Sequence, residues 1–203
     1  GRDVNSNNAI LKKYLTNKDL VFHAEIIGSP FFILKDCSEE QENSINEVLE
    51  AVVSFSRAWR EALYGVSAYW VLPDQVKKSA PSGEFLPKGS FTIEGQRNFI
   101  KSETLKLAVG IIQLEDNDHV LTCGPPEAIK KNSICYAIIE PNGLEMAENA
   151  KKIRLEFLKL FEDITRKINI DEFVRALPAG KSQIKEISLG DLEKENIIDN
   201  ELD

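Results

Sequence analysis

Positions Ile45, Val48, Leu49, Val52, Phe55, Ser56, Trp59 and Leu63 recur at the i, i+3, i+4, i+7 spacing of one helix face, which predicts an amphipathic helix with a stripe to bury. Ser38-Glu39-Glu40-Gln41 just before it reads as a capping box, and Gly65 just after it reads as a stop, so the spacing predicts one long helix from Glu39 to Tyr64. Such a stripe needs an apolar surface to cover. The nearest candidates are strand-sized: Leu20 to Ala24, Pro30 to Leu34 and Ser67 to Leu72, the last stopped by Pro73. Asn5 to Leu15 reads as a short amphipathic helix, and Ser90 to Ile93 as a short strand ended at Gly95.

A second group of elements follows. Leu105 to Gln113 and His119 to Cys123 flank the polar run Glu115-Asp116-Asn117-Asp118, a hairpin pattern, and Ile134 to Ile139 reads as a third strand. Ala147, Ala150, Ile153, Phe157, Phe161 and Ile164 then predict a helix from Glu145 to Arg166, and Asp171 to Leu177 a last helical stretch. Strands and helices in irregular order favour an α+β fold, a mixed sheet packed on a long helix followed by a smaller strand-hairpin-helix unit. The expected organisation is one domain over residues 1–104, an α+β extension over 105–187, and an acidic mobile tail over 188–203.

Composition excludes several classes. In 203 residues no run of 18 apolar side chains occurs, so no membrane span is expected. The chain starts Gly1-Arg2-Asp3 without Met and is expected to be an excised part of a longer protein. Cys37, Cys123 and Cys135 are odd in number and widely spaced, which points to packing roles in a reducing, cytoplasmic compartment and to neither a disulfide framework nor a zinc site. His23 beside Glu25 has the look of a base oriented by a carboxylate, but the favoured reading is a His satisfied at a strand end. His119 lacks a third ligand at useful spacing. Walker, Gly-x-Gly-x-x-Gly and nucleophile-elbow motifs are all missing, so the expectation is a protein that is not an enzyme, with no metal and no cofactor.

Charge is unevenly placed. Of the net charge of -8, the run Asp191 to Asp203 holds -5, whereas Lys77 to Lys106 carries six bases against three acids. From Tyr69 to Phe99, overlapping that stretch, Tyr69, Trp70, Phe85, Phe91 and Phe99 interleave with Lys77, Lys78, Lys88 and Arg97. Aromatics stack on unpaired bases while Lys and Arg neutralise phosphates, the pairing that looped or single-stranded RNA requires. Aromatics in strands are also ordinary core residues. The expected phosphate contacts are Lys77, Lys78, Lys88 and Arg97, with Phe85 or Phe99 against a base.

Ser67-Ala68-Tyr69-Trp70-Val71, Gln75 to Leu86, Lys88-Gly89-Ser90-Phe91-Thr92-Ile93 and Gly95-Gln96-Arg97-Asn98-Phe99, together with Ser56-Arg57-Ala58-Trp59, closely resemble the RNA-binding domain of the NFACT family. Gly1-Arg2-Asp3 with Asn7, His23-Ala24-Glu25 and Gly28-Ser29 resemble its opening signature. The resemblance adds Arg2 and His23 to the expected RNA-binding residues. Gly124-Pro125-Pro126-Glu127-Ala128 and Asp171 to Pro178 are similar to an extension of archaeal members. Eukaryotic members show a second His where this chain has Ile27, and Asp where it has Glu25, so no role is carried over through a His pair. The resemblance implies an RNA-binding adaptor in ribosome-associated quality control, acting on large ribosomal subunits obstructed by peptidyl-tRNA, with alanyl-tRNA recruited by the full-length protein. It implies the large subunit and tRNA as partners, and an intramolecular contact with the N-terminal domain of full-length members. The other reading is a general DNA-binding or protein-interaction module.

Overall fold

The computed structural model describes residues 4–37, 41–77, 91–115 and 118–193. Two compact units are present. The first comprises Gly1–Ala58 and Leu63–Thr104, the second Trp59–Ala62 and Leu105–Asp203.

The first unit contains α1 (Val4–Lys13), β1 (Leu20–Ala24), β2 (Phe32–Leu34), α2 (Glu42–Ser54), α3 (Arg57–Glu61, which enters the second unit at Trp59), β3 (Ser67–Val71), β4 (Val76–Lys77), β5 (Thr92–Ile93) and β6 (Asn98–Lys101). Four strands form a sheet in the order β2-β1-β3-β6, and β4 with β5 forms a two-stranded ribbon. The sheets are α+β in character but antiparallel in every described pairing, not mixed. Because side chains alternate along a strand, Leu20, Phe22 and Ala24 of β1 share one face. They are buried with Ile45, Leu49 and Val52 of α2. Val21 and His23 take the opposite face, where Val21 joins Leu11, Tyr69 and Val71 in a second cluster covered by Leu15, Val76, Phe91 and Ile93.

The expected single helix from Glu39 to Tyr64 is two helices. Ser38, Glu39 and Glu40 lie outside the described residues, and α2 opens at Glu42 on Gln41 without a side-chain cap. The break comes at Ser56, whose hydroxyl donates to the Val53 carbonyl at 2.6 Å and accepts from the Ala58 N–H at 3.1 Å. One Ser thus closes α2 and opens α3, the competition with helical bonding that makes Ser a boundary residue.

Asp19 fastens α1 to the edge of this sheet. Its inaccessible carboxylate accepts from the Thr16 N–H at 2.7 Å, the Asp36 N–H at 3.1 Å and the Lys35 ammonium at 2.6 Å. Burial pushes its pKa up, but the Lys35 bond and the two N–H groups outweigh burial and bring it down to about 2 from 3.8. A carboxylate with a depressed folded pKa stabilises the fold above its unfolded pKa and loses that contribution as pH falls through the folded one. Asp19→Asn should therefore be about 2 kcal/mol less stable than the parent at pH 7. Urea unfolding at successive pH values should show the gap closing between about pH 4 and pH 2.

The second unit contains β7 (Leu107–Gln113), β8 (His119–Gly124), α4 (Pro126–Asn132), β9 (Ser133–Leu144), α5 (Met146–Leu160), α6 (Glu162–Lys167), α7 (Ile170–Ala176) and β10 (Ser182–Leu189). The expected hairpin is present as β7 and β8, in register from Ala108↔Gly124 to Gln113↔His119. The sheet has a fourth strand that the sequence did not announce, in the order β10-β9-β7-β8. Ile129 of α4 packs on Ala108 and Tyr136 on one face of this sheet, and α5 packs on β9 and β10. The expected helix from Glu145 to Arg166 is divided at Phe161, whose φ of -141° and ψ of 78° lie outside the helical region. The tail does not begin at 188, because Ser188 and Leu189 pair with Tyr136 and Cys135, and the Gly190 N–H donates to the Ile134 carbonyl at 2.8 Å. Residues 194–203 lie outside the described residues. Among the described residues no helix is long and apolar enough to cross a membrane.

Candidate nucleic-acid interface

The antiparallel register aligns His23 with Tyr69 and Tyr69 with Phe99, so three rings stand in one row across β1, β3 and β6. Tyr69 is buried. It contacts His23 at 5.9 Å and meets Phe99 edge-on at 5.3 Å between ring centres. Phe31 extends the row, 4.6 Å from His23 and edge-on to Phe91 at 5.6 Å. Aromatic pairs of this kind hold one another in place beyond the gain from burial. At the open end of the row Phe99 is 50 % exposed, a large apolar surface left to solvent on an edge strand.

Charged groups border that ring. The Arg97 guanidinium lies 4.9 Å from the centre of the Tyr69 ring, a cation–π contact. Its Nη1 is 3.6 Å from Glu25 Oε1, with the two side chains 37 % and 45 % exposed. Lys101, which pairs with Ser67 two positions after Phe99, stands on the same sheet face and is exposed. Arg97, Phe99 and Lys101 thus stand at alternate positions on one sheet face, the half-exposed ring in the middle and the Lys101 side chain running toward Gly65.

Gln75 holds this arrangement from behind. Its side chain accepts from the Leu72 N–H and donates to the carbonyls of Glu94 and Gln96 at 2.9 and 2.7 Å. Gly95, at φ +82°, makes the turn between those two carbonyls, a conformation that suits Gly. The loop delivering Arg97 is thereby pinned. On the β1 side the Ser29 hydroxyl accepts from the Ala24 N–H at 2.9 Å, and the Asn7 carboxamide accepts from the Phe31 N–H at 3.3 Å. These bonds give the signature residues Asn7 and Ser29 a structural role.

His23 is not a cation here. Burial first, and the nearby Arg97 charge second, lower its pKa to about 4 from 6.5, against the raising effect of hydrogen bonding to the Ser29 and Ala24 backbone. Near neutral pH it is an uncharged ring of the row.

The expected RNA-binding residues divide into three groups. Arg97, Phe99 and His23 come together. Lys77 lies on the ribbon with Val76, and because Val76 turns toward the aromatic cluster, alternation points Lys77 away from it. Arg2, Lys78, Phe85 and Lys88 lie outside the described residues. Sequence reasoning missed Lys101. The readable signal is the period of two in Arg97-x-Phe99-x-Lys101, at the edge strand β6. Ile27, in the place of the second His, is 84 % exposed.

Comparison with known proteins identifies the family of this segment. A family model described as NFACT protein RNA binding domain matches residues 1–95. The archaeal Rqc2 homolog aRqcH of Methanocaldococcus jannaschii is 36 % identical over 185 residues, 91 % of this chain and 26 % of that protein. The ribosome quality control complex subunit NEMF homolog of Drosophila melanogaster is 34 % identical over 175 residues, 85 % of this chain and 17 % of the relative. The human ribosome quality control complex subunit NEMF is 35 % identical over 114 residues, 55 % of this chain and 10 % of that protein. The chain thus spans about a quarter or less of the length of these relatives.

Proposed function

Since residues 1–95 belong to the NFACT RNA-binding domain family, we propose that this chain is the RNA-binding part of a ribosome quality-control factor, with the β1-β3-β6 face as its RNA surface. The observation that carries the proposal is the half-exposed Phe99 between Arg97 and Lys101, on a face whose remaining aromatics are packed against one another. A stacking platform flanked by cations matches the needs of unpaired nucleotides, whose bases are free to leave a helix. Duplex DNA, whose bases are already stacked, has no use for such a ring.

The same reading extends to the whole protein: it acts in the cytoplasm as an adaptor and not as a catalyst, engages large ribosomal subunits obstructed by peptidyl-tRNA, and draws alanyl-tRNA to them. The relatives named above, which are quality-control proteins, support that extension.

A salt titration of binding to tRNA by fluorescence anisotropy tests the surface. Phe99→Ala should weaken binding roughly tenfold, within the 1–3 kcal/mol a stacked base contributes. Lys101→Ala should lower the slope of log affinity against log salt by about 0.7. Lys101 is exposed and its variant should melt like the parent, whereas Phe99→Ala gives up the edge-on contact with Tyr69 and should melt lower while remaining folded at the temperature of the titration. Unchanged affinity and slope in both would place the RNA surface elsewhere. Cosedimentation with large subunits, with and without peptidyl-tRNA, tests the extension to the ribosome.

A further inference from the structure

Glu25 has no place in a surface that only neutralises phosphate. A carboxylate 3.6 Å from the Arg97 guanidinium repels any phosphate that approaches it. At that separation the two groups attract without a close hydrogen bond, so the donors of Arg97 and both oxygens of Glu25 remain usable. The Arg97 guanidinium of this pair stands over Tyr69, which itself meets Phe99 edge-on.

Resting on the RNA-binding reading of this face, we propose that Glu25 and Arg97 read the Watson–Crick edge of an unpaired guanine stacked on Phe99. Guanine presents one acceptor, O6, followed by two adjacent donors, N1–H and N2–H. A guanidinium beside a carboxylate presents the complement, a donor followed by two acceptors. Adenine and cytosine offer a single exocyclic amino donor next to a ring acceptor, and uracil one N–H between two acceptors. Adenine and cytosine meet the pair only in the reversed sense, amino group on Glu25 and ring acceptor on Arg97, which leaves the second Glu25 oxygen without a partner on the base, and uracil turns its O2 lone pair toward that oxygen. A site built to hydrogen-bond rejects such a partner because its own polar groups are left unpaired. Lys101, on the same face, is placed for the neighbouring phosphate.

The test uses heptameric oligouridines whose central nucleotide is guanosine, inosine, adenosine or uridine, with anisotropy as the readout. Guanosine should bind about tenfold more tightly than adenosine, the lower end of what a bidentate base contact discriminates. Inosine, which lacks the 2-amino group, should lose most of that advantage. In E25Q the guanosine-to-adenosine ratio should fall to about one or two while affinity for the all-uridine heptamer holds or rises, since a repelling charge is gone. Equal affinities for all four heptamers, or a ratio that E25Q leaves intact, overturns the base-reading role. If F99A still weakens every heptamer alike, the RNA surface stands without it. Binding of none of the heptamers by the parent, with F99A neutral toward tRNA, overturns both.

Discussion

Trp59→Ala should lower the free energy of unfolding by about 3–5 kcal/mol, the range for truncating a buried aromatic. Trp59 is 1 % exposed and is the largest fully buried side chain among the described residues. Its indole N–H donates to the Lys181 carbonyl at 3.1 Å. Truncation leaves a cavity and also leaves that carbonyl without its partner. Trp59→Phe separates the two costs, because it keeps most of the volume and removes only the donor; it should cost about 1–2 kcal/mol. Urea unfolding monitored by circular dichroism measures both. A Trp59→Ala variant with the parent's midpoint would mean that the ring contributes nothing by being buried.

Gly190→Ala should be nearly as damaging, by about 3 kcal/mol or more, at the upper end of overpacking effects. A Cβ at this position would lie 1.8 Å from the Ser133 carbonyl oxygen and 2.5 Å from its carbon. Both obstacles are backbone, so no rotamer change relieves the contact. The chain must move away, and the bond from the Gly190 N–H to the Ile134 carbonyl goes with it. The expected readout is a lower urea midpoint together with faster amide exchange at Leu189 and Gly190, where β10 ends. A variant as stable as the parent, with unchanged exchange there, would show that the end of β10 is not held against the start of β9.

The elements that were legible share one property: their burial is one-sided or complete over several residues, which writes a period into the sequence. Leu20 to Ala24 and Ser67 to Val71 are central strands covered on both faces, and they read as short apolar runs. The hairpin of β7 and β8 was legible because a polar turn separates two such runs. The missed strands, β4, β6 and β10, all lie at sheet edges. In β6, Phe99, Ile100 and Lys101 are exposed, and in β10, Lys185 and Glu186 are exposed, so burial imposes little pattern on either. Lys101 was overlooked for the same reason that β6 was.

The sequence by itself determined the α+β class, the central strands and the interleaving of aromatics with Lys and Arg between Tyr69 and Phe99, because each follows from the kind of residue and its spacing. Tertiary structure alone decided that His23, Tyr69 and Phe99, at three distant places in the chain, form one row, since strand register is a property of pairing and not of any one strand. It also decided that Trp59, on the apolar stripe of the expected helix, lies with the second unit. A hydroxyl bridging Val53 and Ala58 ends the first helix before Trp59 is reached, and periodicity carries no record of where a side chain turns back on its own backbone.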